Sequence, residues 1–305
     1  MRSLSDWSRS PAIRIAGSLL SLLALAAFVW ILIDAASAAD IRSVIERHGW
    51  AVAAALLLYG LAYVPMVQAW LLLARTCGAE ASGMQLTRVF LVAQIGKYLP
   101  GNVAQFLGRA FLASSHGVPV KASASAMALE VAGVMSACAI LSLVAVGMGS
   151  VGSSEIAHRV LLGATTAGAV IAAVAAVLVV RSSVGTLKRL SGPFAAAVLL
   201  HLLVLALLAG ANVILIGALG GAWSWGMAGA VSGALVVSWF VGFVTPGSPA
   251  GLGLRELTFL GLLAGSYANE TLVLAAAAFR LATVLGDVLA WGAGMLLKKG
   301  KPITP

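Results

Sequence analysis

Long runs of apolar residues, rather than an alternation of apolar and polar positions, dominate this chain. Four runs without a charged residue lie at about 15–33, 50–74, 160–180 and 194–219. Two further runs contain charge, at about 122–147 and 271–297. A helix needs about 20 residues to cross the hydrocarbon of a bilayer, so the pattern predicts six transmembrane spans.

Two other apolar segments, about 86–113 and 226–266, are each interrupted by a Pro-Gly pair. Proline and glycine end a helix, so Pro100, Gly101, Pro246 and Gly247 are predicted helix breaks. We interpret each segment as a re-entrant helix–break–helix hairpin that enters and leaves on one side of the membrane. A pair of short ordinary crossings is the alternative, because the uncharged run 226–244 is long enough to span.

Composition agrees with the apolar pattern. The chain is 61% hydrophobic and 10% charged, which indicates an integral membrane protein and excludes a soluble globular one. With a cytoplasmic amino terminus, twelve Lys and Arg residues fall on the cytoplasmic side and three on the opposite side. This imbalance predicts that both termini are cytoplasmic.

The four remaining cations then lie within the membrane: Lys97, Arg109, Arg255 and Arg280.

The same charge map gives the two halves of the chain opposite orientations. Residues 10–147 and 158–298 each contain a span, a span, a hairpin and a span, but they start on opposite sides. The predicted fold class is therefore an all-α polytopic membrane protein, a single transmembrane domain over 1–305. It has six spans plus two oppositely oriented re-entrant helical hairpins in an inverted 3+3 repeat. Transporters are built this way, with the broken helices meeting near the middle of the bilayer.

The two breaks also carry a shared chemical pattern. Pro100-Gly101 is followed by Arg109, and Pro246-Gly247 by Arg255, at an offset of 146 residues between the copies. A helix that restarts after a break has unpaired N–H groups and a positive dipole at its amino end, which favour an anion. The arginine adds a planar fork that matches phosphate. The pattern predicts an anion site shared by the two breaks.

We predict that seven side chains bind the substrate: Lys97, Asn102, Gln105, Arg109, Ser248, Arg255 and Arg280. Three carboxylates, Glu130, Glu256 and Asp287, are expected to balance charge or couple to protons. In the structural alternative these charges simply pair, Arg255 with Glu256 or Asp287 and Arg109 with Glu130, while Lys97 extends to the cytoplasmic face. The four histidines are scattered, so neither a metal nor a cofactor is predicted.

The residues at the breaks resemble a known family. Gly96-Lys97-Tyr98-Leu99-Pro100-Gly101 and Pro246-Gly247…Gly251-Leu252-Gly253-Leu254-Arg255-Glu256 are similar to the two motifs of the lysylphosphatidylglycerol synthase transmembrane (flippase-like) family. The resemblance covers about residues 10–300. It implies a multi-pass protein of the prokaryotic cytoplasmic (inner) membrane that handles anionic or polyprenyl-type lipids.

Two features depart from that family's pattern. Bifunctional members carry a soluble aminoacyl-transferase domain, whereas only Lys298 to Pro305 follow the last predicted span, so a stand-alone member without the synthase domain is expected. The second motif has Ser248-Pro249-Ala250 between Gly247 and Gly251, where the family usually has Pro-Gly-Gly-Leu-Gly. The geometry of this turn is therefore expected to differ.

The leading functional hypothesis is a lipid translocase that moves an anionic or polyprenyl-phosphate-type lipid across the membrane without bond chemistry. An anionic membrane lipid is the expected partner, and nucleic acid is not. One alternative is a membrane-embedded enzyme acting on a lipid phosphate, for which Glu130, Glu256 and Asp287 are the available acid–base groups. Another is a non-catalytic partner of a separately encoded lipid-modifying enzyme. No nucleotide-binding loop is present, which argues against direct use of ATP.

Overall fold

The structure is a computed structural model that describes residues 41–98, 104–147, 187–220, 223–245 and 249–297, together with Gly163, Thr166 and Val170. Every regular element in these ranges is a helix. The α-helices are α1 (Ile41–Thr76), α2 (Gly83–Ala93), α3 (Ala104–Ser114), α4 (Val120–Gly147), α5 (Leu187–Ala218), α6 (Trp225–Val244), α7 (Leu254–Leu263) and α8 (Asn269–Leu296). Short 3-10 turns cover Gln94–Tyr98 and Pro249–Gly251.

Five helices among the described residues are long and apolar enough to cross a membrane. Four of them, α1, α4, α5 and α8, cover the predicted spans 50–74, 122–147, 194–219 and 271–297 to within one residue, and the fifth is α6. The all-helical membrane class is thereby confirmed. The predicted span 15–33 lies outside the described residues and 160–180 lies almost wholly outside them, so the count of six spans and the inverted repeat stay predictions.

The long helices pack through small residues. Helix α1 lies along α5, and its buried face carries Ala51, Ala55, Ala62 and Ala69 at heptad-like spacing. Alanine lets two helix backbones approach closely, which is how helices associate in lipid, where burying larger apolar side chains gains little. Apolar side chains also cover outward faces: Leu57, Leu61, Leu199, Leu203, Leu281, Leu285 and Leu289 are exposed. Outward leucines of this kind suit contact with lipid tails.

The first Pro-Gly segment folds as two short antiparallel helices. Helices α2 and α3 have 11 residues each, about 16 Å at 1.5 Å per residue, too short to span a bilayer separately. They are antiparallel because Ala93 faces Gly108 and Gly96 faces Gln105. A Cβ on Gly96 would lie 2.8 Å from the backbone nitrogen of Gln105, so only glycine permits this approach.

The second Pro-Gly segment also reverses direction, but its two helices differ in length. Helix α6 has 20 residues and α7 has 10. The chain turns back after α6, since Gly242 contacts Arg255 and Val237 packs near Leu262. Helix α6 is long enough for a full crossing because the break comes 20 residues after the helix begins, not 11. A re-entrant geometry for this segment stays a prediction.

The two 3-10 turns that border the predicted breaks lie side by side. Cα atoms of the turns Gln94–Tyr98 and Pro249–Gly251 come within 8 Å of one another, and α8 passes beside both segments. Both turns interrupt α-helical backbone at this place. Side chains from more than six helices and turns point toward the space beside them. The described turns next to the two predicted breaks therefore meet, while the meeting of the breaks near the middle of the bilayer stays a prediction.

Candidate functional site

A cavity of about 180 Å³ opens where the two breaks meet. It is lined by helices α1, α3, α4, α5, α6, α7 and α8 and by both 3-10 turns. All eight predicted site residues that the structure describes line it: Lys97, Gln105, Arg109, Glu130, Arg255, Glu256, Arg280 and Asp287. The other predicted residues, Asn102, Ser248 and the breaks Pro100, Gly101, Pro246 and Gly247, lie outside the described residues. Substrate binding by the eight stays a prediction.

Asp287 of α8 joins three elements through its carboxylate. Its Oδ1 accepts hydrogen bonds from the Tyr59 hydroxyl at 2.7 Å, the Tyr63 hydroxyl at 2.5 Å and the Lys97 ammonium at 2.8 Å. Its Oδ2 accepts one from the Tyr98 hydroxyl at 2.5 Å. The side chain is 1% exposed, so four donors replace the water that this carboxylate would otherwise bind. We call Asp287, Tyr59, Tyr63, Lys97 and Tyr98 the Asp287 cluster.

Local sequence places these groups. Tyr59 and Tyr63 lie four residues apart on α1, so both hydroxyls point from one face of the helix, and their rings meet edge to face at 5.8 Å. Gly286 precedes Asp287 on α8, and a Cβ at that position would collide with the Tyr59 ring. Helix α8 can therefore approach α1 closely enough for the carboxylate to reach both tyrosines.

Arg109 of α3 forms an ion pair with Glu130 of α4. Its guanidinium also lies over the rings of Phe90, at 4.4 Å, and Trp70, at 4.8 Å, measured to the ring centroids. The Arg109 side chain is 2% exposed. A guanidinium sandwiched against aromatic faces and a carboxylate is fixed in place, so Arg109 holds α3 against α4 and the α1–α2 layer.

Arg280 of α8 lies near Glu256 of α7, with 3.6 Å between its Nη1 and the carboxylate Oε1. This contact is a loose ion pair, because it exceeds hydrogen-bond distance. The Arg280 Nη2 is buried without a hydrogen-bond partner, and the Glu256 Oε2 has none either. The pair balances charge at this wall of the cavity while leaving hydrogen-bonding capacity unused.

Arg255 of α7 has no ion pair and no hydrogen bond with any described residue. Its guanidinium lies over the Trp239 ring at 5.3 Å, and its stem passes Gly242 and Gly251. A Cβ at either glycine would lie 2.5 Å from the nearest Arg255 atom, so the two glycines make room for this side chain. Among the described residues, Arg255 thus lines the cavity without a carboxylate in ion-pair contact.

These contacts revise the structural alternative. The pairing of Arg109 with Glu130 occurs as that alternative has it. Arg255, however, pairs with neither Glu256 nor Asp287, because those carboxylates are held by Arg280 and Lys97. The extension of Lys97 to the cytoplasmic face is wrong: its ammonium turns inward, since Asp287 offers a buried partner at 2.8 Å.

Several lining side chains were missed by the sequence analysis. Tyr59 and Trp239 line the cavity, and Tyr63 lies behind its wall as a donor to Asp287, but none of the three was singled out as a site residue. The spacing of Tyr59 and Tyr63 was a usable signal, because two hydroxyls on one face of a membrane helix require a shared polar partner. No comparable signal marks Trp239, whose role depends on the turn that brings Arg255 back to α6.

One buried basic pair lies beyond the cavity, at the base of the first helix pair. Arg88 of α2 and His116, in the turn after α3, are each 7% exposed. Burial and the nearby Arg88 guanidinium hold the pKa of His116 below its usual value. Arg88 is one of the twelve cations that the charge map assigns to the cytoplasmic side, which stays a prediction. It lies on α2 because that helix begins at Gly83, five residues before it.

Fold and site together define a helical multi-pass membrane protein with a charged cavity between two broken segments. Across the described ranges, no three His, Cys, Asp or Glu side chains lie close enough to hold a metal ion together. Comparison with family models, curated proteins and solved structures finds no match for this chain. The family resemblance carried by the two motifs stays a prediction.

Proposed function

We propose that this protein is a lipid translocase that binds an anionic head group in the cavity between the two breaks. The observation that carries the proposal is Arg255, an uncompensated cation facing an open cavity inside apolar sequence. An unpaired buried charge is costly, and intramembrane charges usually mark a substrate pathway. A transient anionic ligand would supply the missing countercharge.

The surroundings of Arg255 suit a phosphate head group. Its guanidinium is planar and carries its donors in a fork that fits two phosphate oxygens. Gly242 and Gly251 leave room for the Arg255 stem, which packs directly against both of them. The remaining cavity charges are already paired, which leaves Arg255 as the anion-binding group and the others as the frame that orients it.

The broken segments supply a route for alternating access. Each break interrupts a helix beside the cavity, and two packed elements can rock about such a point without losing regular hydrogen bonds. The acyl or prenyl chains would stay in lipid beside the outward leucines while the head group crosses. The proposal includes the architecture that the sequence predicts, an inverted repeat in which each half contains one re-entrant hairpin.

Transbilayer movement in reconstituted vesicles tests the proposal. Purified protein would be incorporated into vesicles containing phosphatidylglycerol with a fluorescent acyl chain, and a membrane-impermeant quencher would report the lipid exposed on the outside. We expect movement well above protein-free vesicles, and a fall of about tenfold or more in Arg255→Gln. Lys121→Gln is the matched control, since Lys121 is an exposed cation outside the cavity.

Two results would count against translocation. If vesicles with wild-type protein move lipid no faster than protein-free vesicles, the protein is not a translocase of that lipid. If the Arg255→Gln variant is monodisperse and moves lipid at the wild-type rate, Arg255 is not required for translocation. Mass spectrometry of the lipids after the assay also separates translocation from the enzyme alternative, because translocation leaves every lipid chemically unchanged.

A further inference from the structure

Among the residues that the structure describes, the charges that line the cavity sum to plus one. Four cations, Lys97, Arg109, Arg255 and Arg280, face three carboxylates, Glu130, Glu256 and Asp287. Each carboxylate has one cationic partner: Asp287 has Lys97, Glu130 has Arg109 and Glu256 has Arg280. The excess charge is therefore located on Arg255.

The other polar groups of the cavity add no charge, and most of them already make hydrogen bonds within the protein. Ser238 donates to the Leu235 carbonyl and Asn212 to the Leu208 carbonyl, both within their own helices. Gln105 is buried on α3 and lines the cavity as a neutral amide. Recognition by charge thus depends on one guanidinium, while neutral groups can hydrogen-bond the rest of a head group.

We infer that the cavity selects a lipid with a singly charged phosphodiester head group over a phosphomonoester and over a lipid without net charge. The inference rests on the proposed function and names the substrate class of the same site. One negative charge brings the cavity to neutrality. A phosphomonoester dianion would leave it at minus one in apolar surroundings, and a zwitterionic lipid would leave Arg255 uncompensated.

The arrangement also opposes the wrong ligands directly. A second negative charge would meet Glu256 and Asp287, which line the same cavity. A head-group ammonium would meet Arg255 and Arg280 instead. Specificity of this kind comes from repulsion of competitors as much as from attraction of the right ligand, and it needs no base, metal or cofactor.

A set of lipids that differ only in head group tests the selectivity. Fluorescent phosphatidylglycerol, phosphatidic acid and phosphatidylcholine with the same acyl chains would be compared in wild-type vesicles at pH 8. Alkaline pH favours the dianion of a phosphomonoester, whose second ionisation lies near pH 6 in phosphorylated side chains. We expect phosphatidylglycerol to move about tenfold faster than either of the others. Equal rates for phosphatidylglycerol and phosphatidic acid would overturn the inference.

Charge variants sharpen the test. Glu256→Gln keeps the side-chain volume, raises the cavity to plus two and releases Arg280. We expect the rate ratio of phosphatidylglycerol to phosphatidic acid to fall by about tenfold. Glu130→Gln makes the same charge change beside Arg109 and serves if Glu256→Gln does not fold. Glu270→Gln is the control, because it removes an exposed carboxylate at the start of α8. A ratio unchanged in both cavity variants would overturn the inference.

The outcomes separate this inference from the proposed function. If no lipid moves in wild-type vesicles, translocation itself is wrong. If all three lipids move alike, translocation stands and the selectivity is wrong. A soluble phosphodiester with the same head group is the alternative ligand. It is tested by trapping radiolabelled glycerophosphoglycerol inside vesicles that contain the protein. Its protein-dependent release, without movement of any lipid, would assign the cavity to a soluble phosphodiester and overturn the lipid part.

Discussion

The two breaks carry the same Pro-Gly…Arg spacing but hold their arginines in opposite ways. Arg109 is sealed between Phe90, Trp70 and Glu130, with 2% of its side chain exposed. Arg255 has one aromatic neighbour, Trp239, and no carboxylate among the described residues. A repeated sequence pattern has thus produced a structural cation at one break and an unsatisfied one at the other.

The difference follows from what surrounds each break. The first is enclosed by short helices, and its neighbours supply Glu130 and Asp287 to pair with both Arg109 and Lys97. The second follows a long helix and is bordered by glycines that leave space around Arg255. We infer that the first break stabilises the fold and that the second contacts the ligand. The following predictions test this division, beginning with the largest expected effect.

Neutralising Asp287 is expected to destabilise the protein most. Asp287→Asn removes the countercharge of half-buried Lys97 and replaces one of the two oxygens that accept from three tyrosine hydroxyls with an amide NH2 group, which cannot accept. Breaking a buried ion pair by removing one partner costs about 3–5 kcal/mol. The free energy of unfolding, measured by denaturant titration in mixed micelles, should fall by that amount.

The control for Asp287→Asn is Glu270→Gln on the same helix, an exposed position where the expected change is small. The double variant Lys97→Gln/Asp287→Asn should recover part of the loss, because it leaves no unpaired charge behind. A single variant as stable as wild type would show that the Asp287 cluster does not hold the first break.

The two arginines should respond oppositely to the same substitution. Arg109→Gln leaves Glu130 without its cation and is expected to cost about 3 kcal/mol of unfolding free energy. Arg255→Gln removes an uncompensated charge, so stability should be unchanged or higher by about 1 kcal/mol while lipid movement falls. Matched unfolding and vesicle measurements on both variants decide this. Equal destabilisation would mean that the two arginines play the same structural part.

The sequence predicts which helices form and which residues line the cavity better than it predicts which side chains pair with one another. Apolar run length predicts α1, α4, α5 and α8, because crossing hydrocarbon imposes a minimum length. Charge within apolar sequence predicts seven of the eight described site residues that line the cavity, all but Gln105, since such charges are too costly to leave among lipid tails. Both deductions need only local sequence and the properties of the bilayer.

Partner choice could not be predicted in the same way. Glu256 follows Arg255 directly, yet neighbouring helix positions point in different directions, so Glu256 meets Arg280 of another helix. Asp287 and Lys97 are 190 residues apart and meet only because α8 passes the first break. Such pairs depend on how helices cross, which sequence spacing does not encode.

Filling the space beside Arg255 is expected to have an intermediate effect. Gly242→Ala would put a Cβ 2.5 Å from the Arg255 Cγ and 2.8 Å from its Nε, forcing the side chain to move. Overpacking of this kind costs about 1–3 kcal/mol, and lipid movement should fall with it. Gly261→Ala is the control, because nothing lies within 4 Å of a Cβ there and alanine favours a helix. If both variants move lipid like wild type, Arg255 does not need its present position.

The smallest effect is expected for Ala250→Gly, in the turn where this chain departs from the glycine-rich motif that it resembles. Ala250 has φ 50° and ψ 21°, a left-handed conformation that costs a residue with a Cβ roughly 1–2 kcal/mol. Ala250→Gly removes this strain but gives the unfolded chain more freedom, so unfolding free energy should change by only about 0.5 kcal/mol.

Ala250→Val keeps the strain and adds a branched Cβ at a position that is 3% exposed, so it should be less stable than Ala250→Gly by about 2 kcal/mol. No such substitution in the turn Gln94–Tyr98 should show this asymmetry, because the positive φ angles among the described residues near the two breaks occur only at Ala250, Gly251 and Gly253. Equal stability of the two Ala250 variants would mean that the turn is not held left-handed. The conformation of the second break would then be set by its ligand rather than by its sequence.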